Sequence, residues 1–345
     1  MLVYPQSQKL AQPGSFVEQP SHRSHLDVHL YRRTFLAFTS ATLLSACAPP
    51  RAPLRVGTIV FPGYEVLFLA RAMGWLKPEL VRLIELQNSS DSVRALAAGK
   101  IEAAQLTMDE MMAARAGGVD LRAVLVLDTS DGADQVLARP GISMSSLAGR
   151  KIAAEDNSVG ALMMASLLEA AGLRVNQVVK VPITQSRTVE YYQKGLADVV
   201  VTAEPWVSQI KALGGQTIFD SSAVPDRILD VIAVRADALD THADALQHLV
   251  AMQFAALDLF HKHPEQASPH MASRLQIAPE EVPATFAGLK LPDRSQNQAM
   301  LQKGGSLAKS LPALQSILLN ARLLREPVNT DALLDDRFVR QGVAT

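Results

Sequence analysis

The chain has 345 residues, of which 48% are hydrophobic and 19% charged, with 33 Lys and Arg against 34 Asp and Glu. That is long and apolar enough for two domains with a buried core, and it excludes disorder and collagen-like repeats. A net charge of −1 with no run of Lys or Arg longer than two offers no footprint for a phosphate backbone, so nucleic acid is not expected as a partner. The 5% aromatic content suits helices packed on sheets better than an all-β sandwich. A single cysteine, Cys47, rules out an intramolecular disulfide, a multi-cysteine metal site and a redox pair.

The first segment with a recognisable order runs from Arg32-Arg33 through the apolar stretch Phe35 to Ala46 and ends in Leu44-Ser45-Ala46-Cys47. Charge, short apolar run and small residues are the order of a secretory signal, so 1–47 is expected to be a signal peptide. About twelve apolar residues span roughly 18 Å as a helix, short of the roughly 30 Å of a bilayer core. Leu-Ser-Ala-Cys resembles the bacterial lipobox, which implies lipid attachment at Cys47, and Arg-Arg-x-Phe-Leu resembles a twin-arginine signal, leaving the Sec and twin-arginine routes both open. Residues 1–31 are long and partly acidic for either signal, and translation is expected to start near Val28. Removing 1–47 leaves 29 basic against 32 acidic residues, and 48–53, rich in proline, reads as an extended tether.

From Leu54 onward short β-rich runs alternate with helix-period segments. Strands are expected at 54–59, 81–86, 101–106 and 121–127, with helices at 65–75, 90–98 and 109–116 between them. A second series places strands at 151–154, 178–181, 198–201 and 216–219, and helices at 158–171, 187–194 and 205–213. A last strand, 228–234, precedes a helical tail with helices at 243–261, 264–275, 279–287 and 296–311, which should pack back on the first series. This βαβ grammar predicts mostly parallel sheets with flanking helices. The segments 92–107 and 187–202 share one plan: a helix closed by a glycine, Gly99 or Gly195, then an apolar strand ending in threonine. Two lobes of similar design with a ligand cleft between them follow.

Several motifs in order carry a resemblance: Gly63-Tyr64, Ala-Arg-Ala-Met-Gly-Trp-Leu (70–76), Ala-Leu-Ala-Ala-Gly-Lys-Ile-Glu-Ala-Ala (95–104), Ser-Leu-Ala-Gly-Arg-Lys-Ile-Ala (146–153) and Ala-Asp-Val-Val-Val-Thr-Ala-Glu-Pro-Trp (197–206). Over roughly 54–260 the sequence resembles periplasmic solute-binding proteins of ABC transporters, in the nitrate/sulfonate/taurine and thiamine-precursor-like family. The resemblance implies a two-lobed α/β type II periplasmic-binding fold, with 54–130 and 227–345 forming one lobe and 131–226 the other, hinged at Asp128 to Val136 and Ala223 to Asp230. It further implies a monomer without cofactor on the periplasmic face of the membrane. Such a protein would capture a sulfonate-, nitrate- or pyrimidine-like solute by hinge closure and deliver it to an ABC permease. A ligand sensor acting on a receptor is the alternative, and a thiamine-pyrimidine-synthase-like enzyme a lesser one.

Ligand groups in such a fold come from the carboxyl ends of strands and from helix N-termini. The candidates are Tyr64 after the first strand, Asn88 and Ser90 at the head of the next helix, Thr107 and Asp109 after the third strand, and Asp134 in the first crossover. Asn157 and Ser158 open a helix suited to an anion, and Glu204 and Trp206 flank Pro205 at another helix start. Glu204, Asp134 and Asp109 suit an ammonium or amidine, the Ser158 helix an anionic end, and a zwitterion both. No thiol follows Cys47, the five remaining histidines lie in the helical tail, and no serine-hydrolase, zinc-protease or phosphate-loop motif occurs, which speaks against an enzyme and against a metal.

Overall fold

In a computed structural model of the protein, which describes residues 52–155 and 158–340, the alternating pattern condenses into two sheets. The first series supplies β1 (Leu54–Thr58), α1 (Glu65–Ala72), β2 (Val81–Glu85), α2 (Ser89–Ala97), β3 (Ala103–Thr107), α3 (Met108–Ala116) and β4 (Leu121–Ser130). The second supplies β5 (Gln135–Ala138), β6 (Lys151–Glu155), α4 (Ser158–Ala170), β7 (Val179–Ile183), α5 (Thr188–Gln193), β8 (Val199–Thr202), α6 (Trp206–Ala212) and β9 (Gln216–Asp220). The chain then returns through β10 (Leu229–Arg235), α7 (Ala243–Lys262), α8 (Pro264–Leu275), α9 (Val282–Thr285), β11 (Leu289–Lys290), α10 (Arg294–Leu301), α11 (Ser306–Asn320) and α12 (Arg337–Arg340). The signal peptide, Cys47 and most of the expected tether lie outside the described residues.

Strand order is β11-β4-β10-β3-β1-β2 in one sheet and β7-β6-β8-β5-β9 in the other. As expected, most strands of each sheet run in one direction, and each sheet also takes in antiparallel strands. β1 pairs parallel with β2 and β3, and β6 parallel with β7 and β8. The strand that the chain makes on arriving from the opposite sheet is inserted antiparallel: β5 beside β8 and β9, and β10 between β3 and β4. A strand entered from the far sheet, without a helix to carry the chain back over its own sheet, runs the other way.

The internal repeat is realised as two equivalent helix-glycine-strand units, with Gly99 at φ +64° and Gly195 at φ +68° after their helices. Both need the left-handed conformation that glycine adopts without a Cβ clash. Two expected elements of the tail change. The helix drawn over 296–311 is two helices, broken where Gly304 takes φ +72°, and 279–287 is a 3-10 turn leading into the short α9. α7 and α8 pack on α1, as expected for a tail that returns to the first sheet.

The first crossover is shorter than expected, 131–134, because β5 begins at Gln135 and β4 continues to Ser130, while the second, 221–228, keeps its expected length two residues earlier. They are tied together. The Ser221 hydroxyl lies 2.7 Å from the Ser130 hydroxyl and accepts from the Gly132 amide at 2.7 Å, while the Ser221 amide donates to the Asp134 carbonyl at 2.9 Å.

Along its outer edge β4 meets the two residues of β11 at one end and bridges Leu334 at Ala123 near the other, so the stretch between needs other partners. The fully buried Asn297 of α10 supplies them: its Oδ1 accepts from the Val126 amide at 2.8 Å, and its Nδ2 donates to the Val126 carbonyl at 3.0 Å and the Pro292 carbonyl at 3.1 Å. Asn297→Ala should leave the Val126 amide and carbonyl buried and unpaired, a loss of about 3 kcal/mol. Urea unfolding of the variant checks this; a loss below about 1 kcal/mol would show that water replaces the side chain.

Candidate functional site

The strand ends after β1, β2 and β3 in the first sheet and after β6, β7 and β8 in the second all open on one cleft. An outer chamber of about 340 Å³ lies between Phe61 and Asn88 on one side and Glu155, Gln185 and Trp206 on the other, with Arg274 of α8 at its edge. A narrower inner pocket of about 40 Å³ adjoins it through the shared residues Ile59, Phe61, Glu155 and Gln185. The inner walls are Tyr64, Ser89, Thr107, Glu110 and Asp230 from the first sheet and its helices, and Asp134, Glu155 and Gln185 from the second.

Each inner side chain is held by its local structure. The 3-10 turn Pro62–Tyr64 directs Tyr64 inward, where its hydroxyl donates to Asp230 and its ring meets Phe61 edge-on with centroids 5.2 Å apart. Thr107 caps α3 reciprocally with Glu110: the Glu110 amide donates to the Thr107 hydroxyl at 3.4 Å and the Thr107 amide to the Glu110 carboxylate at 3.2 Å. The Ser89 hydroxyl donates to the same carboxylate. On β4, β10 and β3 the residues Asp128, Asp230 and Thr107 lie side by side in register. Gly63 crosses directly over Asp128, so closely that a Cβ there would collide with the carboxylate.

The pocket is acidic. Glu110, Asp134, Glu155 and Asp230 line it, and among the described residues no Lys, Arg or His does. Burial raises the Asp134 carboxyl to about 6 and the Glu155 carboxyl to about 7. Burial, then the charge of Asp128 across the strand, drives Asp230 well above the usual carboxylate range, and burial raises Asp128 with it. Burial and Asp230 also raise the Tyr64 phenol, which keeps it a donor. Arg274 is already committed to Glu65, at 3.0 Å, and to Glu85. Among the described residues, no group of three or more His, Cys, Asp and Glu side chains could hold a metal ion.

Of the residues singled out from the sequence, Tyr64, Thr107 and Asp134 line the inner pocket, and Asn88 and Trp206 the outer chamber. Asn88 is also the cap of α2, accepting from the Asp91 amide at 2.9 Å. Three others stand elsewhere. Ser90 faces a separate groove with Arg94, because on α2 it is the neighbouring Ser89 that turns inward. Asp109 is buried behind the cleft, raised to about 8 by burial and then by Glu110, and lines neither cavity. Both oxygens of Glu204 are taken up by Ser208, from its amide at 3.1 Å and its hydroxyl at 2.8 Å, so this carboxylate serves the first turn of α6. Asn157 and the Ser158 side chain lie outside the described residues, although Ser158 does open α4. Sequence reasoning weighed Ser89 with its neighbours Asn88 and Ser90, but did not single out Glu110, Asp128, Glu155, Gln185 or Asp230 as ligand residues. The visible signal for the two strand residues was a lone aspartate inside an otherwise apolar run, in Val-Leu-Asp and Leu-Asp-Val.

The profile of the NMT1-like family matches residues 47–276. A protein of Brucella abortus named as a binding protein is 24% identical over 318 residues, covering 89% of this chain and 98% of its own length. Among solved structures, the ligand-binding component of an ABC-type import system from Staphylococcus aureus, with zinc bound, superposes at a TM-score of 0.70 with 15% identity, covering 84% of this chain and 99% of that one. The periplasmic aliphatic sulphonate binding protein SsuA from Escherichia coli superposes at 0.69 with 17% identity, covering 84% and 93%. At these identities the structural matches speak for the fold, which is that of the two-lobed periplasmic binding proteins.

Proposed function

This chain belongs to the NMT1-like family, and we propose that it is the solute-capturing component of an ABC-type importer, tethered by lipid on Cys47 outside the cytoplasm and passing its ligand to a permease. The observation that carries this reading is a cleft walled by both sheets, between which the chain crosses only twice. A solute touching both walls is bound more tightly when they approach, so ligand shifts the population toward the closed form. Polar side chains and a chamber of about 340 Å³ suit a small polar solute, the size class of the sulphonates named for the solved relatives. Residues Tyr64, Thr107, Asp134, Asn88 and Trp206 then carry ligand contact. Nothing in this role calls for a covalent step or a cofactor.

The test has two parts. Small-angle scattering with a bound solute should show a smaller radius of gyration than the free protein, with a thermal midpoint several degrees higher at saturating ligand. In cells, labelled palmitate should be incorporated into the protein and lost in Cys47→Ala. A solute that binds without compaction counts against hinge capture, and unlabelled wild-type protein counts against the tether.

A further inference from the structure

We propose that the inner pocket takes a cationic end of the solute, an ammonium or amidinium group, and that this group displaces a proton shared by Asp128 and Asp230 in the empty cleft. The inference rests on the solute-binding reading above and adds the charge and protonation chemistry of the ligand.

Three observations lead to it. The first is the absence of basic lining: four carboxylates and a phenol surround the inner pocket, with no Lys, Arg or His among the described residues of its walls. An anion there would find no basic side chain to pair with among the described lining residues, and its charge would hold the carboxyls protonated, whereas a cation is paired by each one that ionises. The second is Asp128. It is fully buried, and neither carboxylate oxygen accepts a hydrogen bond from any donor among the described residues. It stands directly across the strand pair from Asp230, which lines the pocket. Two carboxylates so placed cannot both ionise in an apolar setting without a counter-charge, and one proton held between them satisfies both. The third is size. A space of about 40 Å³ holds a few waters or one small head group, while the adjoining chamber takes the body of a solute.

The groups facing Asp230 come from every neighbouring element: Tyr64 from the turn before α1, Thr107 at the end of β3, Asp109 and Glu110 on α3, Asp128 on β4 and Asp134 in the crossover. None is cationic. Tyr64 donates to Asp230 and holds one of its oxygens in place. A positive head entering beside Asp230 supplies the missing counter-charge. The shared proton then leaves to water through the outer chamber, the pair ionises fully, and one positive charge has replaced another. Arg274 at the chamber edge is held by Glu65 and Glu85, so the body of the solute meets a locally neutralised wall there.

Isothermal titration of the purified protein with head-group pairs tests this: taurine against isethionate, and benzamidine against benzoate. The expected result is that the ammonium or amidinium member binds at least about 100-fold more tightly than its hydroxyl or carboxylate counterpart. Near pH 6.5 its apparent enthalpy should differ between phosphate and Tris by the equivalent of about one released proton, a difference that disappears in Asp128→Asn. Isethionate, benzoate or nitrate binding as tightly as the cationic probes would overturn the proposal while leaving solute capture intact. Cation binding with a buffer-independent enthalpy would overturn the proton exchange. If no probe of either sign binds, the proposal and the solute-binding reading fail together.

Discussion

Replacement of Arg274 by methionine should lower the unfolding free energy by about 3–5 kcal/mol. The Glu65 side chain on α1 has no solvent exposure, and Arg274 on α8 reaches it with Nε at 3.0 and 3.1 Å from its two oxygens. The same guanidinium bonds Glu85 at the end of β2 and lies 3.4 Å over the Phe68 ring. Removing it strands a buried carboxylate and strips the face of an aromatic ring. Glu65 sits at about 7 even with its partner, because burial outweighs the attraction of Arg274. Without the cation it should rise further, so the deficit of Arg274→Met is expected to be largest at pH 8 and to shrink toward pH 5 as Glu65 takes up a proton. Urea denaturation at the two pH values measures this directly. The double variant Glu65→Gln, Arg274→Met should recover most of the loss, since no unpaired charge remains. A double variant as unstable as the single one would assign the effect to lost packing.

Ligand-free protein should be more heat-stable at pH 5 than at pH 8. Glu155 and Glu65 at about 7 and Asp134 at about 6, with Asp128 and Asp230 also raised, all sit above their unfolded values, and burial is the main cause in each. Between the unfolded and folded values the native protein binds more protons than the unfolded chain, so stability falls as pH rises through this window. Together the groups are worth on the order of 5 kcal/mol across it, or roughly 10 °C in midpoint. Below about pH 4 the trend reverses. Glu102 is held low by hydrogen bonds from Arg55 despite its burial, and Asp120 by those from Arg122, so protonating either gives up stabilisation. Calorimetric scans from pH 4 to 8 would expose the error if the midpoint were flat or rose with pH, since the cleft carboxylates would then be ionising freely.

Much of this architecture was legible in the chain. Hydrophobic period and glycine punctuation placed β1 to β4 and α1 to α3 within a few residues, and the parallel between 92–107 and 187–202 foretold two units of one design. What escaped was long-range. The first half of β5, Gln135 and Val136, falls inside the expected hinge, because four residues give too short an alternation to declare a strand until β8 and β9 close on it. The same limit applied to the site. Local rules find caps and helix starts, and so they pointed to Tyr64, Asn88 and Thr107, which stand on the cleft walls. They also overvalued Glu204, whose oxygens are consumed four residues further on by Ser208. Asp128 and Asp230 are about a hundred positions apart and meet only when β10 slots in beside β4, an event that no local window encodes.

The bonds from Ser221 to the neighbouring crossover bear on how the cleft measures its contents. With Ser130, Gly132 and Asp134 all joined to Ser221, the two connecting segments form one stitched pivot, and a twist in either is passed to the other. Motion about such a pivot has essentially one degree of freedom, like the jaws of a calliper. In the proposed closure, Trp206 and Phe61, which line the same chamber, would therefore arrive on a solute along a set arc. Under the proposed hinge capture, molecules with the right head group but the wrong length would be rejected by the distance at which the jaws come to rest, so selectivity for the body of the solute would reside in the stiffness of a joint that never touches it.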